Sequence, residues 1–491
     1  MKVVLENIDL YRYEIHSLIR EFYPEEEVKV IVEGDPHVKK VLKEEERIFL
    51  TVEYEDQSLT LFAEGKEKKA SLSQGRKKSS ETKDVMKKLL YELLSELTGK
   101  QLPWGDLIGI RPTKLARARM EKGDSEEKTC AFLMENHKVS REKALLAVEI
   151  AKREMNILSH LHDEAGYSLY IGIPFCPTTC LYCSFPSYNI AQYEDRIDDY
   201  LDALSLELKA ASEIMKGVPL DTIYIGGGTP TSLSARQLDR LLSCVETYYD
   251  VDSVQEFSVE AGRPDSMTRE KFSVLRHHPV TRISVNPQTM QDKTLRLIGR
   301  HHSVQQVKDT FYQAREYGFS NINMDMILGL PTEDKRCVED TVSQIEALSP
   351  DSLTVHSLAV KRGSRLRRMI DEKGYPVFLN TEETVHIASQ GAARMGMKPY
   401  YLYRQKNMAG NFENVGYARE GAYGIYNILI MEEIQSIMAV GAGSVTKRVM
   451  AKPDGTFRID RCEDAKDLDT YLKNLDEMVE RKRKLFSMEV E

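Results

Sequence analysis

The chain has 491 residues, of which 41% are hydrophobic and 30% charged, and its formal net charge is −9. This length exceeds what one ordinary hydrophobic core serves, so two or three domains are expected, and the composition excludes a disordered or a membrane-embedded chain. The acidic balance argues against a general nucleic-acid binder, because neutralising phosphates requires a basic surface.

The N-terminal stretch MKVVLENIDLYRYEIH has charged and polar side chains where a secretory signal needs an uninterrupted apolar run. No later segment reaches the length of a membrane span. A cytoplasmic location is therefore expected. Cytosolic thiols remain reduced, so the seven cysteines point to metal or redox chemistry rather than to a disulfide framework.

The first 164 residues predict two segments. Residues 1–73 alternate strand-like runs with one helical stretch and predict a small α/β domain. Residues 74–164 begin as a polar, basic linker and continue as a helical segment. The stretch QLPWGDLIGIRPTKLAR interrupts that segment with a turn, because it contains Pro and Gly.

Residues 165–375 have a different rhythm, in which short apolar runs alternate with amphipathic helices. The six strand-like runs are SLYIGI, DTIYIG, EFSVEA, TRISVN, NINMDMIL and SLTVHSL. The helix that follows the first run places apolar residues on one face at Ile197, Tyr200, Leu201, Leu204, Leu208 and Ile214. Six β/α units predict an α/β fold with a parallel sheet, either doubly wound or a partial (β/α)6 barrel of the TIM type.

Residues 376–491 have a mixed pattern, which predicts an α+β segment that forms a third domain or a cap on the second. Helices are expected around 381–396, 430–438 and 464–485.

Polar groups recur where the predicted strands end, and in parallel β/α folds ligands bind at that edge of the sheet. In chain order these groups are the Cys176, Cys180 and Cys183 loop, the GGGTP turn, Glu260, Gln288, Asp325 and His356. For Glu260 and Asp325 a structural role as partners of backbone or arginine stays open, and for His356 a structural role is preferred. This edge is the predicted active site.

The cysteine loop CPTTCLYC has three explanations: a zinc site, an iron–sulfur cluster, or coincidence. Structural zinc sites usually take four ligands in two pairs, and no second pair with suitable spacing lies near this loop. Three thiolates from one loop can instead reach three irons of a cuboidal cluster, which leaves one iron open for a ligand. A catalytic [4Fe–4S] cluster is therefore the preferred explanation.

The turn YIGGGTPTSL matches neither a dinucleotide-binding fingerprint nor a phosphate-binding loop, because its glycine spacing differs and the lysine is missing. Three consecutive glycines allow a backbone to approach a ligand closely. A simple tight turn would also explain them, but the edge shared with the cysteine loop favours ligand binding.

CPTTCLYC followed by GGGTP resembles the radical S-adenosylmethionine (SAM) enzymes. Further motifs resemble the oxygen-independent coproporphyrinogen III oxidase family, in particular its HemZ-type branch, over roughly residues 165–450. These motifs are YIGIPFC, GGGTPT, VEAGRPD, NPQTM, IGRHHS and MDMILGLP. The resemblance implies a partial barrel of the radical SAM type.

The resemblance also implies roles for individual residues. Cys176, Cys180 and Cys183 would bind three irons of a [4Fe–4S] cluster, and SAM would chelate the fourth. The positions implied to hold this SAM are Tyr170, Gly227, Gly228, Thr229 and Glu260, of which Tyr170 is also a candidate catalytic residue. The positions implied to contact a second SAM are Tyr182, Gln288, Arg300, Asp325 and Ala359.

The reaction implied by the resemblance is oxidative decarboxylation of two propionates of coproporphyrinogen III to vinyl groups in anaerobic haem synthesis. Candidate partners of the substrate carboxylates are the cations of residues 360–369 and 403–407. A flavodoxin or ferredoxin would supply electrons. The established decarboxylases have a further cysteine where this chain has Phe185, a residue shared with the haem-chaperone branch, so a haem chaperone and a radical enzyme acting on RNA stay as alternatives.

Overall fold

The computed structural model describes residues 1–35, 48–73, 76–109, 111–185, 187–360, 364–373, 380–404, 412–452 and 457–488. The chain divides into two compact units. The first contains Met1–Glu149 and Arg404–Glu413, and the second contains Ile150–Tyr403 and Asn414–Glu491. The finer division after residues 73, 164 and 375 stays a prediction.

The first unit contains a five-stranded sheet. Its strands are β1 (Lys2–Glu6), β2 (Val28–Val32), β3 (Ile48–Tyr54), β4 (Ser58–Ala63) and β5 (Lys66–Ser71). Their order is β2-β1-β3-β4-β5, with β1 parallel to both neighbours and β3, β4 and β5 antiparallel. The helices are α1 (Arg12–Phe22), α2 (Ser80–Thr98), α3 (Pro112–Glu121), α4 (Glu126–His137) and α5 (Arg141–Leu158), which continues into the second unit. This confirms the predicted N-terminal α/β region.

The core of this unit follows from the two periodicities of its sequence. β4 buries Leu59, Leu61 and Ala63 at every second position, as a strand with one face on the core does. α1 buries residues at helical spacing, namely Ile15, Leu18, Ile19 and Phe22. Both sets belong to one apolar cluster, which joins the sheet to its helices.

The second unit contains the six predicted strands in one sheet, all parallel to their neighbours among the six. They are β6 (Tyr167–Ile173), β9 (Leu220–Gly227), β10 (Glu256–Val259), β11 (Arg282–Ser284), β12 (Ile322–Leu328) and β13 (Ser352–Ser357). The helices between them are α6 (Ile197–Ile214), α7 (Ala235–Tyr248), α8 (Arg269–His277), α9 (Asp292–Leu297), α10 (Val304–Glu316) and α11 (Lys335–Leu348). A short parallel pair, β7 (Phe175–Cys176) and β8 (Tyr188–Asn189), lies in the loop after β6. The predicted succession of six β/α units is confirmed.

The C-terminal segment adds strands to both edges of this sheet. Its strands are β14 (Lys398–Tyr403), β15 (Asn414–Ala418), β16 (Ser436–Val440), β17 (Val445–Ala451) and β18 (Phe457–Glu463). The full order is β14-β15-β13-β12-β11-β10-β9-β6-β16-β17-β18. β15 runs antiparallel to β13, whereas β16 runs parallel to β6. The segment predicted as a third domain or a cap therefore widens the sheet of the β/α units.

The remaining helices of the second unit are α12 (Arg365–Lys373), α13 (Glu382–Arg394), α14 (Ile425–Glu432), α15 (Leu468–Lys473) and α16 (Leu475–Ser487). The prediction of a helix around 430–438 is wrong from Glu433 onward, because α14 ends at Glu432 and β16 begins at Ser436. All five residues of β16 are buried, and a short apolar run of this kind has no period that distinguishes a strand from a helix. None of the helices within the described ranges has the length and apolar composition needed to cross a membrane.

The predicted apolar face of α6 is buried except for Ile214, which is half-buried. Glu207 lies on the same face and is also fully buried. Its carboxylate accepts hydrogen bonds from Lys482 Nζ and Tyr471 Oη, and Lys482 also contacts Asp464 Oδ2 at 2.7 Å. A charged cluster thus ties α15 and α16 to α6 inside the second unit.

Candidate active site

Several of the predicted site residues lie in or just after the carboxyl-terminal halves of the parallel strands. Cys176 follows β6, Gly227 ends β9 and Glu260 follows β10. Asp325 lies in β12 and His356 in the adjacent β13. Parallel strands end at one edge of a sheet, so these side chains share the edge where the sequence predicts the active site.

Gln288 continues the ladder beyond β11 by an isolated bridge to Met326. The backbone amide of Gln288 donates to Asp325 O at 2.9 Å, and its backbone carbonyl accepts from Ile327 N at 2.8 Å. The φ angle of Gln288 is +67°, in the left-handed region that residues other than glycine rarely adopt. Such strain gathers at functional sites, which supports the candidate status of Gln288.

The cysteine loop is held close to the end of β9. Cys176 Sγ lies 3.4 Å from Thr229 Oγ1, and the Cys183 amide donates to Cys180 O at 3.2 Å. Burial raises the pKa of Cys176 to about 11. The hydrogen bond with Thr229 opposes this rise, whereas the nearby Cys180 and Cys183 add to it. A thiol with a raised pKa stays protonated near neutral pH, so Cys176 needs a nearby positive charge to become a thiolate.

The three thiols fit an iron–sulfur cluster better than a single ion. Across the described ranges, no group of three or more His, Cys, Asp or Glu side chains is close enough to hold one metal ion. A cuboidal cluster does not need such a group, because each thiolate binds a different iron. The upstream His162 contacts Asp221 at the start of β9, at the opposite end from the cysteines.

The glycine turn fits tightly under the cysteine loop. Gly227 has a φ of +111°, a conformation that residues with a Cβ rarely adopt. A Cβ on Gly228 would lie 2.9 Å from Cys176 Sγ and 2.6 Å from Phe175 O. The Thr229 amide donates to Phe175 O at 2.7 Å. The glycines therefore allow β9 to reach the base of the cysteine loop.

Three tyrosines stack beside Glu260. The ring centroids of Tyr170 and Tyr224 are 6.2 Å apart, with an interplanar angle of 14°. Those of Tyr224 and Tyr426 are 4.4 Å apart, with an angle of 20°. Tyr224 Oη donates a hydrogen bond to Glu260 Oε1. Burial raises the pKa of Glu260 to about 7; the Tyr224 hydrogen bond opposes the rise and the charge of Asp325 adds to it. Glu260 therefore titrates near neutral pH.

Sequence reasoning missed Tyr224 and Tyr426. Tyr224 has a detectable signal, because it lies two residues before Gly226 in β9 and so on the same side of the strand. Tyr426 comes from α14, and nothing in the local sequence indicates that it contacts Tyr170 and Tyr224.

Asp325 and His356 form a second polar group. His356 Nε2 lies 3.7 Å from Asp325 Oδ2, and its Nδ1 lies 3.2 Å from Tyr403 Oη. Asn323 Nδ2 donates to Asp325 Oδ1 at 2.7 Å. Burial alone would raise the pKa of Asp325, but the hydrogen bond and charge of His356 lower it below its usual value. His356, for which the sequence preferred a structural role, thus directly contacts a candidate ligand-binding carboxylate.

Arg300 and Tyr182 lie next to each other and to Cys180. Arg300 is 5% exposed, and its Nη1 donates to Asn286 O. Burial lowers the pKa of Arg300, but Tyr182 and Cys180 beside it raise the value above normal. Ala359 follows β13, two residues beyond its end. The structure therefore brings Tyr182 and Arg300 to Cys180, and Ala359 to the same edge.

The two cationic stretches differ. Lys361, Arg362 and residues 405–411 lie outside the described residues. Arg404, from the second stretch, donates to Leu107 O and stacks over the Trp104 ring, with centroid distance 5.6 Å, inside the first unit. That guanidinium is engaged in the packing of the first unit.

A model of the Radical SAM superfamily matches residues 170–345. The chain is 42% identical over 376 residues to the oxygen-independent coproporphyrinogen-III oxidase-like protein HemZ of Bacillus subtilis, covering 75% of this chain and 74% of that protein. It is 41% identical over 197 residues to the haem chaperone HemW of the same organism, covering 40% of this chain and 51% of the chaperone.

Among solved structures, coproporphyrinogen III oxidase (HemN) from Escherichia coli matches with a TM-score of 0.52 and 22% identity, over 66% of this chain and 73% of that one. At this identity the match concerns the fold alone, and it agrees with the α/β sheet described above. The extent of the match to HemZ establishes the family. The chain belongs to the radical SAM superfamily and, within it, to the coproporphyrinogen III oxidase family, a membership that implies a [4Fe–4S] cluster and SAM.

Proposed function

We propose that this chain is a radical SAM oxidoreductase that converts two propionates of coproporphyrinogen III to vinyl groups in anaerobic haem synthesis. The observation that carries the proposal is the position of the three thiols, the glycine turn and the Glu260 and Asp325 carboxylates at one edge of the parallel sheet. The relation to HemZ and to coproporphyrinogen III oxidases supports the substrate class.

In this proposal Cys176, Cys180 and Cys183 hold the cluster. When bound, the cluster and SAM supply a reductive carbon–sulfur cleavage that generates a carbon radical able to abstract hydrogen from the substrate. The protein holds the reacting groups in register and keeps water and oxygen away. The stacked rings of Tyr170, Tyr224 and Tyr426 are suited to the second task, because they fill the space beside Glu260 with apolar surface.

Gly227, Gly228 and Thr229 are proposed to bind the cluster-bound SAM through backbone groups, with Glu260 as its carboxylate partner. A carboxylate accepts hydrogen bonds from an ammonium group or from ribose hydroxyls, and it does so best when ionised. Tyr224 holds Glu260 Oε1 in a fixed direction. Tyr170 stacks on Tyr224, with ring centroids 6.2 Å apart.

A second SAM is proposed at the residues that flank the first site, namely Tyr182, Gln288, Arg300, Asp325 and Ala359. Arg300 supplies a buried positive charge and Asp325 a negative one, as a zwitterionic ligand requires. Gln288, which follows β11, forms a bridge to Met326 of β12, next to Asp325.

For the carboxylates of the tetrapyrrole, the favoured cations are on α12. Arg365 Nη1 donates to Thr179 O at 3.3 Å, and the Leu366 amide donates to Leu181 O at 2.9 Å, so α12 lies against the cysteine loop. The side chains of Arg365, Arg367 and Arg368 on this helix are exposed. Exposed guanidiniums recognise carboxylates in bidentate geometry. A flavodoxin or ferredoxin as electron donor and a cytoplasmic location belong to the same proposal.

The test is an anaerobic assay of the reconstituted protein with reductant, SAM and coproporphyrinogen III. We expect 5′-deoxyadenosine and vinyl products in the native protein and neither in Cys183→Ser. The matched control is Cys244→Ser, because Cys244 lies on α7 and donates to Ser205 Oγ away from the loop. Formation of 5′-deoxyadenosine without a vinyl product would retain the radical chemistry and reject the substrate.

A haem chaperone is the second candidate, supported by Phe185. This side chain is 68% exposed, two residues after Cys183, and it offers an aromatic surface to a planar ligand. The match to HemW covers about half of that chaperone. A haem titration separates the candidates: a stoichiometric Soret shift that is lost in Phe185→Ser favours the chaperone, whereas no shift removes it.

A further inference from the structure

Arg263 has no role assigned by the family resemblance, yet its side chain reaches the cysteine loop. It follows β10 three positions after Glu260 and is 3% exposed. Its Nη1 donates to Thr178 O at 3.1 Å and to Thr178 Oγ1 at 2.9 Å, and it lies 3.8 Å from Cys180 Sγ. One guanidinium nitrogen therefore contacts both the backbone of the loop and a candidate cluster sulfur.

The other side of the guanidinium is fixed by Asp265. Arg263 Nε donates to Asp265 Oδ1 at 3.0 Å and Nη2 to Oδ2 at 2.6 Å, which is the bidentate geometry of a strong arginine–carboxylate pair. His302 Nδ1 lies 3.6 Å from the same carboxylate. The orientation of Nη1 towards Cys180 is thus set by a buried ion pair and is not left to side-chain motion.

Thr178 extends the contact to Gly299, which follows α9. Its hydroxyl donates to Gly299 O at 2.8 Å while its carbonyl and hydroxyl oxygens accept from Arg263. The segment between Cys176 and Cys180 is therefore connected to residues that follow β10 and β11. Nε and Nη2 of Arg263 are sufficient for the ion pair with Asp265. The third nitrogen, Nη1, contacts Thr178 and the Cys180 thiol instead.

We propose that Arg263 is a positioning residue of the cluster, which holds the Thr178–Cys180 segment and, by its N–H contact to Cys180 Sγ, favours the reduced cluster. The proposal rests on the cluster that the family implies and on no particular substrate. Hydrogen bonds to the sulfurs and nearby charge are the main influences of a protein on the potential of an iron–sulfur cluster. Reduction adds one negative charge, which a neighbouring cation and an N–H donor stabilise.

The test is a redox titration of the reconstituted cluster, followed by electron paramagnetic resonance, in Arg263→Gln, Asp265→Asn and the double variant. Arg263→Gln should lower the ratio of reduced to oxidised cluster about tenfold at a fixed solution potential, which is about 59 mV for one electron. The double variant removes both charges of the ion pair, so a shift that persists in it reports the lost N–H contact. A double variant with the native midpoint potential would reject the proposal.

Two further variants keep the test decisive if Arg263→Gln assembles no cluster. In Arg263→Lys, one ammonium cannot serve Asp265, Thr178 and Cys180 together, so we expect a loaded cluster with a lower midpoint and faster iron loss to a chelator. Arg315→Gln is the matched control, because Arg315 pairs with Asp351 at 2.7 Å in the same unit, apart from the cysteines. Native potential and native iron loss in Arg263→Lys would contradict the proposal. No substrate enters these measurements, so their outcome is independent of the proposed reaction.

Discussion

The Tyr224 hydroxyl donates a hydrogen bond to Glu260 Oε1 between the ends of the adjacent strands β9 and β10. We expect SAM binding to depend on this contact. Tyr224→Phe should raise the dissociation constant for SAM about tenfold, because a hydrogen bond to a charged group contributes about 1.5–3 kcal/mol. Equilibrium dialysis with reconstituted protein measures the change. Tyr312→Phe is the control, since Tyr312 is exposed on α10.

Glu260 also predicts a pH dependence. Its pKa is raised to about 7, mainly by burial, so the carboxylate forms as the pH rises through 7 and SAM binding should tighten over that range. Tyr224→Phe removes a hydrogen bond that lowers this pKa, so its binding midpoint should move to higher pH. The folded chain holds this proton above the usual carboxyl value of 4.5, so Glu260 contributes less to stability as the pH rises from 4.5 to 7. A binding curve that is flat between pH 6 and 8 would contradict the prediction.

Gly228→Ala should impair cluster loading. The added Cβ would lie 2.9 Å from Cys176 Sγ and 2.6 Å from backbone oxygen Phe175 O, so the loop must shift. Such overpacking costs about 1–3 kcal/mol. Iron and sulfide content after reconstitution measures the effect. In the control Gly172→Ala, on β6, the nearest atoms lie 3.4 Å from the new Cβ, and loading should stay native.

The cysteine loop and the strand-end residues could be predicted because both follow from local sequence patterns. CPTTCLYC is continuous in sequence, and six alternating units determine which ends of the strands meet. Arg263 could not be predicted in the same way, since its partner Thr178 is 85 positions away. Glu207 occupies an apolar helix face, where its carboxylate is explained by partners distant in sequence, namely Lys482, Tyr471 and the Gly441 amide.

Asp325→Asn should remove one SAM and retain the other. If the residues around Asp325 hold a second molecule, calorimetry should give a stoichiometry near two for the native protein and near one for the variant. Formation of 5′-deoxyadenosine with chemical reductant should continue, because Glu260 and the glycine turn are unchanged. A native stoichiometry of one would overturn the second site.

His356→Phe should also weaken binding of the second SAM, but by less than Asp325→Asn does. It removes the hydrogen bond and the charge that lower the pKa of Asp325, so that pKa should rise. Weakening should therefore grow as the pH falls, in the acidic range where the native Asp325 stays ionised. Titrations at several pH values measure this, and an equal effect at all of them would show that His356 acts only through packing.

Lys482→Met should destabilise the second unit by about 3–5 kcal/mol, because it leaves Glu207 and Asp464 buried without their cation. Denaturant unfolding measures the loss. Adding Glu207→Gln should recover part of it. Lys484→Met, at an exposed position of the same helix, is the control and should change the free energy of unfolding by less than about 0.5 kcal/mol.

The pairing of β16 with β6 has a consequence for how the protein is made. β6 leads into the cysteine loop, yet one of its two neighbours in the sheet comes from far downstream: Ser168 and its hydrogen-bond partner Gln435 are 267 positions apart. During synthesis on the ribosome, the edge of β6 that pairs with β16 therefore stays unpaired until Val440 has been added. Iron and sulfide delivered before that moment would meet a loop without its final support, so cluster insertion is expected to follow the synthesis of β16.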